Sequence, residues 1–194
     1  MNFSSPLTAL FPGASGRTVT ALSAHRETAG SAALSVEALA RESSVAATQL
    51  ESVLFRLGLL GMVEPRRRGA EVRVVAGHLV WDAVGQLTDL RGRLADEVRD
   101  RAAAELDPAP VHLALLGKVA EGTAAHPADL LEIVAVPPAG APADWRPRLD
   151  AFAERLSRDL GNLVAVHLAD TPDDARRAHG TGIVVIDGTA GQLP

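Results

Sequence analysis

The chain contains no cysteine and no tyrosine, and its 194 residues include a single lysine, two tryptophans and four phenylalanines. Without cysteine there can be no disulfide, no thiolate metal site and no cysteine nucleophile. With aromatics at only 3%, the core has to be filled by Leu, Val, Ile and Ala. No apolar run approaches the ~20 residues that span a bilayer. The opening stretch MNFSSPLTALFPG lacks the basic start and long apolar run of a signal peptide. A cytoplasmic protein with no membrane partner is therefore expected.

What is present points to a folded protein. The apolar fraction is 47% with no long polar tract, enough for a core rather than disorder. The length suits one large domain or two small ones. The net charge of −5 is unevenly placed. Residues 1–90 carry 8 Arg against 8 Asp and Glu, so the whole excess lies in residues 91–194. Charge location matters more than the total when a nucleic-acid partner is considered.

Apolar spacing predicts helices over 14–27, 35–42 and 44–61, with Ser15 and Ser35 as candidate N-terminal caps and Gly61 as a stop. In the third, Leu50, Val53, Leu54 and Leu57 share one face. MVEPRRRGAEVRVVAG (62–77) has two alternating segments around a charged Pro65–Ala70 tip, the pattern of a short hairpin. Residues 78–106 are helical in pattern, with a break expected near Gly85 or Gly92. In the second half, strands are expected over 111–117, 130–136, 162–168 and 182–188, with helices over 145–161 and 171–180. The alternation means an α/β layer.

The run LARESSVAATQLESVLFRLGLLGMV, with the hairpin after it, resembles a winged helix-turn-helix. That resemblance implies a DNA-binding domain over residues 1–77 and double-stranded DNA as partner. Burying one face of the long helix leaves Ala47, Thr48, Gln49, Glu51, Ser52 and Arg56 outward. Small residues let such a helix approach a groove floor, where Thr, Gln and Ser can bond base edges. The wing residues Arg66, Arg67 and Arg68, with Arg73 behind them, are suited to phosphate or the adjacent minor groove. The same trihelical core can instead serve as a dimerisation or docking module, with the Arg triplet a solvated tip.

LLGKVAEGTAAHPADLLEIVAV (115–136) resembles the signature of the minimal nucleotidyltransferases of the polymerase-beta-like superfamily. The family has a Gly-Ser turn, an Arg-Gly and an Asp-x-Asp pair opening the next strand. Its carboxylates hold divalent metal, and its turn offers backbone amides and a helix start to phosphates. Here Gly117 keeps the first glycine, Lys118 replaces the serine, Glu121 replaces the arginine and Gly122 keeps the second glycine. Asp129 matches the first metal carboxylate, but position 131 is leucine, Glu132 falls one residue late, and NLVAVHL carries no carboxylate. One ligand of three implies lost catalysis: no catalytic residues, no metal and no cofactor. Gly117, Lys118, Gly122 and Asp129 are left as candidates for a nucleotide or other anionic ligand. Alternatively Lys118 is a solvated turn residue and Asp129 a cap at the strand's start. His126 and His167 do not by themselves make a metal site.

The expected fold class is α+β. It comprises a winged helix (1–77), a helical linker or dimer seam (78–107) and a nucleotidyltransferase-like α/β domain with a small mixed sheet (108–194). The expected function is a homodimeric DNA-binding transcriptional regulator. The rivals are the antitoxin of a toxin–antitoxin pair and an active nucleotidyltransferase. Leu87, Leu90, Leu94 and Val98 are spaced either as a dimer seam or for packing within the chain.

Overall fold

The structure, a computed structural model, describes residues 2–179 and 182–188. It is α+β, with a small mixed sheet of four strands. The chain divides into two compact units, Ser5–Asp89 and Leu90–Pro194, the latter together with Met1–Ser4.

The first unit contains α1 (Pro6–Leu10), α2 (Ala14–Ala29), α3 (Val36–Ser43), α4 (Ala47–Leu59) and α5 (Leu79–Thr88). The Ser35 hydroxyl caps α3 by accepting the Ala38 N–H at 3.1 Å. Ser15 is not a cap: Gly13 holds that position, and Ser15 lies inside α2. Nor does the third expected helix start at Ser44. That residue adopts a left-handed conformation (φ 52°) that ends α3, so α4 begins three residues later. Leu50, Val53, Leu54 and Leu57 are buried as expected, against Leu22 of α2, Leu39 of α3 and Trp81 of α5. Trp81 satisfies its indole N–H by donating to the Met62 carbonyl at 3.1 Å.

Between α4 and α5 the expected hairpin is paired. Val63 bridges Val74 across the hairpin, and Leu34, from the connection between α2 and α3, bridges Val72, both antiparallel. The Glu64 N–H donates to the Arg73 carbonyl at 2.9 Å and the Val75 N–H to the Met62 carbonyl at 3.0 Å. Val63, Val72 and Val74 turn into the helical core, which leaves the charged tip outside.

The second unit contains α6 (Leu90–Glu105), β1 (His112–Leu116), α7 (Gly117–Glu121), β2 (Leu131–Val136), α8 (Trp145–Leu160), β3 (Val164–Leu168), α9 (Pro172–His179) and β4 (Ile183–Asp187). The strand order is β3-β2-β1-β4, with β2 and β3 parallel and the other pairs antiparallel. Gly180, the last residue of the helix expected over 171–180, lies outside the described residues. Side chains alternate across the sheet. Leu113, Leu115, Leu131, Ile133 and Ala135 pack with Leu94, Val98, Trp145 and Phe152, while Val134 and Val136 pack with Ala175 of α9.

The stretch 78–107, expected as one linker, is two helices separated at Asp89, between the two glycines at which a break was expected. Leu87 packs on the first unit's core, whereas Leu94 and Val98 are buried in the second's and Leu90 packs against it. That apolar stripe is used within the chain. Among the described residues, no helix is long and apolar enough to cross a membrane.

Candidate functional site

Two groups of residues carry the chemistry singled out above, one in each unit. In the first, burial of one face of α4 leaves Ala47, Thr48, Gln49, Ser52 and Arg56 exposed, as the helical spacing requires. Arg56 is steadied by donating to the Ser52 carbonyl at 3.3 Å and to the Ser15 hydroxyl at 3.2 Å. Glu51 is different, for it reaches across to the hairpin. Arg66 donates to both its oxygens, at 2.7 and 3.0 Å, and Gly69 N–H adds a third bond at 2.9 Å. Gly69 can aim its amide this way because its φ is +77°, a conformation that costs glycine little. The Arg66 guanidinium also bonds the Ala70 carbonyl, at 3.1 and 2.6 Å.

Only 10% of the Arg66 side chain and 15% of Glu51 remain exposed. Arg66 therefore ties the hairpin tip to α4 rather than reaching outward with the other two arginines of the triplet. The Glu51 carboxyl is held below its ordinary value, chiefly by the Arg66 hydrogen bond, against the opposing effect of burial. Arg67 and Arg68 are exposed at the tip, and Arg73 is exposed 3.8 Å from Glu71. With Glu51 engaged by Arg66, the exposed charges at the hairpin are Arg67, Arg68 and Arg73 beside Glu64 and Glu71, so the outward excess of positive charge rests on Arg67 and Arg68.

Between α4 and the hairpin runs a groove of about 810 Å³ lined by Thr48, Ser52, Phe55, Leu59, Pro65 and Arg68. Phe55 and Leu59 are 68% and 73% exposed. Sequence reasoning missed both, although they continue the outward stripe of Thr48 and Ser52 at helical spacing. It also missed Glu51 as the partner of Arg66.

In the second unit, the sheet places Gly117 where β1 ends and α7 starts. Its φ is +80°, and a Cβ there would stand 2.8 Å from the Leu130 carbonyl oxygen, so a side chain is excluded on both counts. Gly122 closes α7, a helix of only five residues. The Lys118 ammonium donates to Asp129 Oδ1 at 3.0 Å. Asp129 Oδ2 accepts the Ala125 and His126 amides at 2.9 and 3.0 Å. Both carboxylate oxygens thus brace the turn before β2. Asn162, buried beside it, donates to the backbone carbonyls of His126 and Asp129 at 3.2 Å each.

The residues do not fit the divalent-metal site that the nucleotidyltransferase resemblance implies. Leu131, in the second carboxylate's position, is fully buried in the core. Glu132 instead meets His167 across the parallel pair, with Oε2 3.2 Å from Nε2. His126 is occupied locally, its Nδ1 accepting the Ala128 N–H at 3.1 Å. Among the described residues, no group of three or more His, Asp and Glu is placed to hold a metal.

The two backbone amides, and after them Lys118, lower the Asp129 carboxyl from 3.8 to about 2. A depressed carboxyl stabilises the fold above its unfolded value, and that contribution is lost as pH falls from about 3.8 towards about 2. Carboxyl NMR titration should give Asp129 a midpoint near the lower figure. Asp129→Ala should speed amide exchange at Ala125 and His126. A midpoint at 3.8 or above would show that the brace does not form in solution.

No family model matches the chain, and no curated protein or solved structure matches it significantly.

Proposed function

We propose that the protein is a DNA-binding transcriptional regulator. The Ser5–Asp89 unit acts as a winged helix-turn-helix, and the second unit as a nucleotidyltransferase-like scaffold without metal chemistry. The observation that carries this reading is the pairing of an exposed polar stretch of α4, Thr48, Gln49 and Ser52, with the exposed Arg67 and Arg68 on a braced hairpin. In this reading α4 enters the major groove, and its polar first turns meet base edges. The two tip arginines lie against phosphate, which holds register without reading sequence. Two copies acting together would gain specificity from paired half-sites about 34 Å apart.

The second unit contributes no transfer step in this proposal. Its one family carboxylate, Asp129, is engaged by Lys118 and two amides, and its second is replaced by leucine.

A second reading is favoured by Phe55 and Leu59: the groove they line would receive an apolar helix of another protein. Selection from random duplexes separates the two. DNA binding should be salt-dependent, and Gln49→Ala or Ser52→Ala should relax preference at individual positions by about 1–3 kcal/mol. Failure to retain any duplex at low salt would leave the protein-docking reading. Transfer of label from a nucleoside triphosphate that disappears in Asp129→Ala would overturn the scaffold assignment.

A further inference from the structure

We infer that the outer edge of β3 is where two copies of this chain join, each adding its own β3 antiparallel to the other and continuing the sheet across a two-fold axis. The inference rests on the dimeric reading above and names its contact surface.

β3 is an outer strand of the sheet, and among the described residues no strand pairs with its far side. The Leu163 carbonyl accepts from Leu131 and the Ala169 N–H donates to Ala135, so both residues turn their backbone groups towards β2. Strand alternation then turns the N–H and C=O groups of Val164, Val166 and Leu168 outward. An edge of this kind is ordinarily guarded by charge, proline or a bulge. LVAVHL (163–168) has no Asp, Glu, Lys, Arg or Pro, and its register with β2 is unbroken.

The surroundings select the occupant. Leu163 and Leu168, at either end of the edge, are 57% and 44% exposed. Val164 and Val166 line a groove of about 750 Å³ shared with α8. The charged α8 residues on that groove are Arg146, Asp150, Glu154 and Arg158, two of each sign. The half of the chain carrying the whole −5 excess therefore presents a balanced face here. A strongly acidic or basic partner finds no complement, whereas a second copy can approach without net repulsion. Two-fold pairing centred on Val166 sets that residue opposite its own copy and Val164 opposite Leu168 of the other chain. Pairing β3 with β4 of another copy would instead be head-to-tail and would propagate into filaments.

The test is the mass of the full chain by sedimentation at about 10 µM, where a specific dimer with a sub-micromolar Kd is the predominant species. Val166→Pro removes an outward N–H while sparing the β2 ladder, and Leu168→Lys places a charge at the edge without altering the backbone. Wild type should be a dimer, and both variants should be monomers with unchanged far-UV spectra, a loss of at least about a hundredfold in affinity. Should Val166→Pro unfold the sheet, Leu168→Lys decides alone. A dimeric wild type whose folded variants stay dimeric overturns this surface while leaving the dimeric regulator intact. A monomeric wild type overturns both. Filaments in place of dimers would also overturn it, in favour of head-to-tail pairing.

Discussion

Replacing Arg67 and Arg68 together with alanine should weaken duplex DNA binding by about sixtyfold at ~0.1 M salt, without moving the melting temperature. Each phosphate contact releases condensed counterions, and losing two should flatten the slope of log affinity against log salt by about 1.8. Carried from ~1 M, where release contributes nothing, down to ~0.1 M, that slope change gives the sixtyfold figure. Both side chains are exposed at the hairpin tip, so little native packing is lost with them. Arg66→Ala should behave differently, because its guanidinium is engaged with Glu51 and Ala70. It should lower the melting temperature first and affect DNA binding only through a loosened tip. Fluorescence anisotropy over a salt series, on a random and a selected duplex, separates these effects. An unchanged salt slope in the double variant would remove the tip from the interface.

What could be read from the sequence was whatever depends on neighbours a few residues apart. The buried face of α4, the Ser35 cap and the four strands follow from spacing and composition, and the structure has them. The five-residue α1 was not legible, because it is too short for apolar periodicity and has no side-chain cap. Nor was the left-handed Ser44, which moved the start of α4. The larger gap concerns long-range pairs. Glu51 and Arg66 are 15 residues apart, and Lys118 and Asp129 are 11 apart. Nothing local in the sequence announces that each of these charges is already committed to a partner. Three arginines in a row looked equivalent, yet one is internal and two are free of that bond. Asp129 was aligned to a metal ligand, and the alternative weighed beside it, a cap at the strand's start, is closer to what its oxygens do.

Glu51→Gln should cost the first unit about 2–3 kcal/mol. Exposed ion pairs contribute at most ~1 kcal/mol, whereas breaking a buried pair costs about 3–5. The side chains of Glu51 and Arg66 are 15% and 10% exposed, so this pair lies between those limits and nearer the second. Glutamine keeps the shape and one acceptor, but leaves the guanidinium largely withdrawn from water beside a neutral amide and the Ala70 carbonyl. For a unit of this size the loss corresponds to a fall of about 10–20 °C in Tm. The pH dependence has a definite sign. The Glu51 carboxyl is lowered in the fold, so its contribution is complete above the ordinary value of 4.5 and is lost as pH falls through the lower folded value. The wild type should therefore lose its advantage over Glu51→Gln in acid, and the two melting curves should converge there. Trp81 lies in the first unit's core and Trp145 in the second's, so a Trp145→Phe background reports the relevant transition alone. Melting at neutral pH within ~2 °C of wild type, less than about 0.5 kcal/mol, would show that the brace contributes no more than an exposed ion pair.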